Sequence, residues 1–184
     1  MKKIYLFTID DDYIKFLSSY DKKVCESKER RRNHTRKYIG AVLEVNGIRY
    51  FAPLSSPKPK DFGSDGSIRK DPVFLTRIIT KNEQGHPELK GKVLIANMIP
   101  IVDCVATKYN IANEKDLRYK QLVIKEIDFI TKNRFEIYKK AMLIYKQKCS
   151  EKTLKNPPKY LPHTIDFKLL ESVCKKYKKK CNNG

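Results

Sequence analysis

The chain has 184 residues, of which 40 are Lys or Arg and 21 are Asp or Glu, so its formal charge at pH 7 is +19. With so large a net charge, the positive side chains of a folded protein repel one another unless a polyanion binds. The charge therefore argues against a neutral partner. Nucleic acid is the first candidate and a membrane surface the second. The N-terminal apolar run ends at Asp10 and is too short for a signal peptide. No run approaches the ~20 apolar residues of a membrane helix, so we expect a cytoplasmic protein.

The spacing of cysteine and histidine gives no indication of a metal site. None of the five cysteines pairs with another as Cys-x-x-Cys, and the three histidines are scattered. Zinc sites usually draw their ligands from such closely spaced pairs. We therefore expect free thiols, no metal and no other cofactor.

The N-terminal part of the chain is patterned as short strands. Apolar and β-branched runs between turn signals predict strands over 2–9, 38–45, 48–54, 73–79, 92–96 and 98–101. Asn46-Gly47 joins two of them and is a strong hairpin signal, because both turn positions need positive φ angles. Three aspartates from Asp10 onward predict the start of a short helix over 13–20, since carboxylates favour helix N-termini. Residues 59–72 have little apolar content and predict a mobile loop.

The apolar period becomes helical from about residue 113. Residues 131–134 are a candidate break between two helices, and a last helix is predicted from Asp166 into a basic tail. Strands followed by helices predict an α+β fold, with a twisted antiparallel β-sheet flanked by helices. These parts make one predicted domain over 1–184, strand-rich over 1–101 and helical over 113–181.

The most informative motif is Ser55-Ser56-Pro57-Lys58 at the end of the predicted hairpin. It places two hydroxyls and an ammonium group within four positions, which is suited to binding one phosphate. The alternative interpretation is a plain Ser-Pro turn with a surface lysine. Spacing alone does not decide between these two interpretations.

The order of the segments resembles the ToxN/AbiQ family, the endoribonuclease toxins of type III toxin–antitoxin systems, and within it the CptN branch. The most specific match is the run from Tyr50 to Lys58, a tyrosine and a hydrophobic residue followed by Ala-Pro-Leu-Ser-Ser-Pro-Lys. The resemblance covers most of residues 3–146 and rests on segments 7–9, 12–17, 38–45, 50–58, 97–101 and 119–122.

This resemblance implies a fold, an RNA partner and a biological role. The fold is a compact, highly twisted antiparallel β-sheet core flanked by helices, similar to that of the MazF and Kid toxins. The partner is an RNA antitoxin of tandem repeats, whose precursor the toxin cuts and whose products it holds in a cyclic protein–RNA assembly. Freed from that RNA, such toxins cleave cellular RNA, arrest growth and abort phage infection. Neither DNA nor a membrane is an expected partner.

Matched position by position, the resemblance also implies a catalytic set. Ser56 matches the family's essential hydroxyl, Ser55 matches a position that is often threonine, and Lys58 matches the motif lysine. Tyr13 matches an active-site tyrosine on the first helix. Arg36 falls where some members have lysine.

The sequence departs from the family pattern in the basic loop before the second strand. Arg32 stands where the family has a second tyrosine, which assigns contacts with RNA to Arg32 or His34. The expected RNA-binding residues are Arg30, Arg31, Arg32, His34, Lys37 and Lys60. One or two tyrosines are expected to stack on unpaired bases, from the set Tyr38, Tyr50, Tyr109, Tyr119, Tyr138 and Tyr145.

These residue types fit RNA cleavage without a metal ion, in which a 2′-OH attacks the adjacent phosphorus and leaves a 2′,3′-cyclic phosphate and a 5′-OH. Lys58 and Arg36 would stabilise the charge of the transition state. Lys58 is also the candidate base, because nearby cations favour its neutral form, and Tyr13 or His34 would supply the leaving-group proton. The alternative is a non-catalytic RNA-binding module, which explains the charge equally well and gives the Ser-Ser-Pro-Lys motif no role.

Overall fold

The computed structural model describes residues 4–27 and 34–182, with side chains as far as Tyr177. In this part of the chain the strands are β1 (Leu6–Ile9), β2 (Tyr38–Val45), β3 (Ile48–Ser55), β4 (Thr76–Lys81), β5 (Pro87–Val93), β6 (Ile99–Ile101) and β7 (Ala106–Lys108). The helices are α1 (Asp11–Tyr20), α2 (Leu117–Cys149) and α3 (Phe167–Asn182).

The described strands form one antiparallel sheet in the order β4-β5-β3-β2-β1-β7, with β6 paired to β3. Helix α2 packs on β2 and β4, and α3 packs on β6, α1 and α2. The predicted α+β fold, an antiparallel sheet flanked by helices, is therefore confirmed. The likeness to the MazF and Kid toxins stays a prediction.

The predicted hairpin is confirmed at its turn. Asn46 and Gly47 have φ angles of 50° and 72°, and Val45 stands opposite Ile48 in the β2–β3 register. The aspartate cap is also confirmed, because the Asp10 carboxylate accepts a hydrogen bond from the backbone N–H of Asp12 at 2.7 Å. Local sequence chemistry determines both features.

Helix α2 runs unbroken through residues 131–134, so the candidate break is wrong. Thr131 donates its hydroxyl hydrogen bond to the Ile127 carbonyl at 2.7 Å, and Asn133 donates to the Phe129 carbonyl at 2.8 Å. Polar side chains that bond back to the preceding turn are tolerated inside a helix. No helix in the described residues combines the length and the apolar character that crossing a membrane requires.

Two further expectations are corrected. The segment 59–72 is tied into the fold rather than loose, because the Asp61 carboxylate is 1% exposed and forms ion pairs with Arg77 and Lys92. Cys104 is disulfide-bonded, which corrects the expectation that all five thiols are free.

Candidate active site

The β2–β3 hairpin brings the start of one strand beside the end of the other. The Leu54 N–H donates a hydrogen bond to the Lys37 carbonyl at 2.8 Å. The Arg36 guanidinium reaches across the same pair and donates from Nη1 to the Leu54 carbonyl at 2.8 Å. Antiparallel pairing therefore places Arg36 and Lys37 next to the Ser55-Ser56 motif, although eighteen residues separate Arg36 from Leu54 in the chain.

These residues line a cavity of about 270 Å³, which we call the Ser56 cavity. Its lining combines hydroxyl, cationic and aromatic side chains with one carboxylate. The polar and aromatic members are His34, Thr35, Arg36, Lys37, Ser55, Ser56, Lys90, Tyr119 and Glu126. Ser56 is exposed, whereas Ser55 is buried.

Arg36 is a buried cation held by backbone carbonyls. Its side chain is 3% exposed, and its Nε donates to the Glu26 carbonyl at 2.8 Å. A guanidinium fixed in this way provides positive charge at a constant position, and that charge acts more strongly in a partly dehydrated cavity than in water.

Lys37 is the second buried cation of the cavity. Its Nζ donates to the Thr35 carbonyl at 3.1 Å and lies 4.5 Å from the centre of the Tyr109 ring. Burial lowers the pKa of Lys37 below the ordinary lysine value, and the Glu114 carboxylate opposes that shift only in part. The neutral amine is therefore more accessible than in a free lysine, so Lys37 can accept a proton.

His34 is held at the mouth of the Ser56 cavity by the start of helix α2. Its ring stacks on Tyr119 with centroids 3.8 Å apart and planes at 4°. Its Nε2 lies 3.5 Å from a carboxylate oxygen of Asp116, the residue that caps α2. The imidazole is thus oriented on one side by a ring and on the other by a carboxylate.

Sequence patterns did not single out Glu126 or Lys90 as members of the site. Glu126 is 8% exposed on α2, where the helical period suggests only one more charge between apolar residues. A Cβ at Gly91 would lie 2.6 Å from Glu126 Oε1 and 3.3 Å from the Ser55 carbonyl oxygen. Glycine at position 91 therefore allows Glu126 to approach the end of β3. Lys90 lies just before Gly91 on β5, at a register shift in the pairing of β5 with β4. The pairing passes from Gly91 to Leu89 and skips Lys90.

Lys58 and Lys60 do not line the Ser56 cavity. They line a neighbouring cavity of about 620 Å³, which we call the Lys58 cavity, and Ser55 contacts both cavities. Asp61 fixes the backbone at Lys58, since its carboxylate accepts a hydrogen bond from the Lys58 N–H at 2.8 Å. The motif is therefore shared between two adjoining cavities instead of converging on one point.

Tyr13 lies elsewhere, in the hydrophobic core. Its side chain is 0% exposed, its hydroxyl donates to the Pro100 carbonyl at 2.8 Å, and its ring packs on Tyr177. Burial raises the pKa of the phenol far above its ordinary value, which makes proton transfer unfavourable. This placement corrects the catalytic role expected for Tyr13, whose side chain is a packing element.

Other expected RNA contacts fall into three groups. Arg30, Arg31 and Arg32 lie outside the described residues. The tyrosines Tyr38, Tyr50 and Tyr145 are buried, so they cannot stack on bases. Tyr119 already stacks on His34 at the Ser56 cavity, and Tyr138 is 43% exposed. Within the described ranges, no group of three or more His, Cys, Asp or Glu side chains is arranged to hold a metal ion.

Comparison with known proteins places this geometry in a family. The profile of the toxin ToxN, type III toxin–antitoxin system, matches residues 5–175. The endoribonuclease ToxN of Bacillus thuringiensis subsp. kurstaki is 30% identical over 176 residues, which cover 94% of this chain and 84% of that protein.

Two solved structures show the same fold. One is a bacterial type III toxin that is selectively inhibited by a non-coding RNA pseudoknot, with a TM-score of 0.77, 28% identity, and coverage of 96% of this chain and 99% of that one. The other is AbiQ, a lactococcal anti-phage endoribonuclease of a type III system, with a TM-score of 0.78, 28% identity, and coverage of 97% and 99%. Since the profile match spans most of the chain and the folds superpose over nearly all of it, the chain belongs to the ToxN toxin family of type III toxin–antitoxin systems.

Proposed function

We propose that the chain is a cytoplasmic endoribonuclease toxin that acts as a single domain. A tandem-repeat RNA antitoxin, whose precursor the toxin cuts, would hold it in a closed protein–RNA assembly. Freed from that RNA, the toxin would cleave cellular transcripts, arrest growth and abort phage infection. The family assignment supports this proposal, as do the activities that the names of its relatives describe.

The observation that carries the proposal is the composition of the Ser56 cavity. Two serine hydroxyls, a guanidinium held by backbone carbonyls and a buried lysine with a lowered pKa line the same 270 Å³ space. A scissile phosphate in this cavity would lie close to the charge of Arg36 and accept a hydrogen bond from Ser56. It would accept a second one from Ser55 after that hydroxyl turns away from the Ser56 carbonyl, to which it donates at 3.4 Å. Donors and charges that are already fixed in place stabilise the added negative charge of a phosphorane-like transition state.

The proposed reaction needs only the RNA and these side chains. The 2′-oxygen attacks the adjacent phosphorus while its proton passes to the neutral amine of Lys37. The bond between phosphorus and the 5′-oxygen breaks, and the leaving oxygen takes a proton from the His34 imidazolium. The products are a 2′,3′-cyclic phosphate and a 5′-OH, with no net proton gained or lost. Lys37 replaces Lys58 as the proposed base because Lys37 shares a cavity with both hydroxyls.

The decisive experiment is incubation of purified protein with its flanking repeat RNA in EDTA. We expect cleavage to persist and the products to carry cyclic phosphate ends. Ser56→Ala should bind this RNA normally and cut it about 10²–10³-fold more slowly, because one donor to the phosphate is lost.

Ser19→Ala, which removes an exposed hydroxyl from helix α1, is the matched control and should cut at the normal rate. If full-length RNA survives at high protein concentration in the presence and in the absence of magnesium, the chain is a non-catalytic RNA-binding module instead. If Ser56→Ala cuts as fast as Ser19→Ala, the site assignment is wrong.

A further inference from the structure

The Lys58 cavity adjoins the proposed cleavage site through Ser55 and has a different lining. Its volume of about 620 Å³ falls within the range of sites that bind small organic ligands. Its polar and aromatic lining includes Lys58, Lys60, Phe74, Asn97, Lys159 and Tyr160. None of the described lining residues is Asp or Glu, so the cavity suits an anion.

One wall of the Lys58 cavity is aromatic and firmly held. The Phe74 and Tyr160 rings lie 5.7 Å apart between centroids at an angle of 44°. The Tyr160 hydroxyl donates a hydrogen bond to the Gln147 side chain on α2, and both rings are only partly buried. A ring already fixed before binding loses little side-chain entropy when a planar ligand packs on it.

The cations at the rim are of two kinds. Lys92 is buried and paired with Asp61, so its charge is compensated within the protein. Lys58, Lys60 and Lys159 are exposed, and ammonium groups in that position attract phosphate. An aromatic wall beside a cationic rim matches a ligand that is both planar and anionic.

We propose that the Lys58 cavity binds one nucleotide of the RNA, the nucleotide adjacent to the cleaved bond. Its base packs on the Phe74–Tyr160 wall, and its phosphate lies among Lys58, Lys60 and Lys159. This inference rests on the proposed function, since Ser55, which lines both cavities, connects this nucleotide to the scissile phosphate. The Lys58 cavity then holds the base beside the cut, while the Ser56 cavity performs the chemistry.

The first test is binding of the four ribonucleoside 5′-monophosphates to the whole protein, with free nucleosides and inorganic phosphate as comparisons. We expect a monophosphate to bind more tightly than its nucleoside and more tightly than phosphate, because the base and the phosphate each contact one part of the cavity. Phe74→Leu should weaken that binding about tenfold through lost stacking, and Lys159→Gln should weaken it about threefold.

Lys155→Gln replaces an exposed lysine of the same segment outside the cavity and is the matched control, with thermal unfolding confirming that every variant is folded. The inference is overturned if no monophosphate binds better than phosphate alone. It is also overturned if Phe74→Leu and Lys159→Gln both bind like Lys155→Gln.

The second test uses repeat RNAs that lack one base on either side of the mapped cleavage position. At one of these RNA positions, removing the base should weaken binding of the RNA, and Phe74→Leu should weaken it too. The two losses of binding free energy should not add when both changes are combined, as expected for groups that contact each other. If RNA is cut but no position couples to Phe74, the nucleotide site is wrong and the ribonuclease function stands. If RNA is never cut but a monophosphate binds and responds to both variants, the Lys58 cavity binds a nucleotide, and its position beside a cleaved bond is overturned together with the ribonuclease function.

Discussion

Lys37 and Lys58 each line a cavity that Ser55 also lines, but in different surroundings. Lys37 is 8% exposed and packs beside the Tyr109 ring, whereas Lys58 is exposed at the rim. Burial favours the neutral amine because it removes water from the charged form. The two lysines therefore suit different tasks, proton transfer for Lys37 and phosphate binding for Lys58.

The role of Lys37 can be tested through pH. Burial lowers the pKa of Lys37, and the proposed reaction needs neutral Lys37 together with protonated His34. The cleavage rate should therefore pass through a maximum as pH rises instead of levelling off. Lys37→Arg keeps the charge but cannot lose its proton, so the single-turnover rate should fall about 10²–10⁴-fold with RNA affinity preserved. Lys58→Arg is the control and should keep the wild-type pH profile. A Lys37→Arg enzyme with the normal rate and profile would exclude Lys37 as the base.

Tyr13 is expected to affect stability and not catalysis. Its sequence match implies a catalytic role, but its side chain lies in the hydrophobic core. Tyr13→Phe removes a buried hydrogen bond to the Pro100 carbonyl, which should lower the free energy of unfolding by about 1–3 kcal/mol. The cleavage rate per folded molecule should be unchanged. Tyr20→Phe, on the same helix and 45% exposed, should alter neither quantity. A large loss of rate without a loss of stability would return Tyr13 to the catalytic set.

Elements rather than single residues position the site. The β2–β3 hairpin aligns Arg36 and Lys37 with Ser55, helix α2 contributes Tyr119 and Glu126, and β5 contributes Lys90. The segment after β3 is anchored by Asp61, whose carboxylate pairs with Arg77 on β4 and Lys92 on β5. One buried carboxylate thus joins the turn that carries Lys58 to two strands of the sheet.

Asp61→Asn should show how much this anchor contributes. Removing one partner of a buried ion pair leaves uncompensated charge and costs about 3–5 kcal/mol. Burial acts to raise the pKa of Asp61, but the Lys92 hydrogen bond, the Lys58 N–H and the charges of Lys92 and Arg77 outweigh it, so this pKa lies below its ordinary value. The stability contribution is therefore present above the unfolded-state pKa and disappears as pH falls through the folded-state pKa.

The measurement is chemical denaturation of wild type and Asp61→Asn from about pH 7 down to about pH 3. The difference in unfolding free energy should be constant near neutral pH and shrink in the acid range. Glu83→Gln, which changes an exposed carboxylate in the β4–β5 turn, should differ from wild type at no pH by more than about 0.5 kcal/mol. A pH-independent difference for Asp61→Asn would contradict the ionised anchor.

At the scale of the whole molecule, the formal charge of +19 sets how the protein meets RNA. Each phosphate that a cation neutralises releases bound counterions, so the affinity falls as the salt concentration rises. On single strands, the logarithm of the affinity falls by about 0.7 per phosphate for each tenfold rise in salt. We expect Ser56→Ala to lose at least about tenfold in affinity for the repeat RNA between roughly 50 and 200 mM KCl. Fluorescence anisotropy measures this without cleavage of the probe.

Removing a positive charge from the protein surface that contacts RNA should reduce the slope of affinity against salt concentration. Lys60→Gln in the Ser56→Ala background should lower it by about 0.7, because Lys60 is exposed at the rim of the Lys58 cavity. Lys139→Gln, which removes a lysine already paired with Glu136 on α2, should leave the slope unchanged. Affinity that is independent of salt would contradict a phosphate-centred interface.

The sequence by itself determined what neighbouring residues and simple counts control. The total charge, the Asn46-Gly47 turn, the Asp10 cap and the succession of a strand-rich part and a helical part follow from local backbone preferences and composition. The bounds of β5 and the existence of β7 do not, because the sequence predicts a strand over 92–96 and none over 106–108. The Ser55-Ser56-Pro57-Lys58 motif likewise pointed to the end of β3.

Only the tertiary structure decided which side chains share a cavity and which are buried. In the structure Tyr13 lies in the core, burial lowers the pKa of Lys37, and Ser56 and Lys58 line adjoining cavities. The tertiary structure also brought Glu126 from α2 to the end of β3. Burial, desolvation and convergence depend on contacts between residues far apart in the chain, and local periodicity carries no information about those contacts.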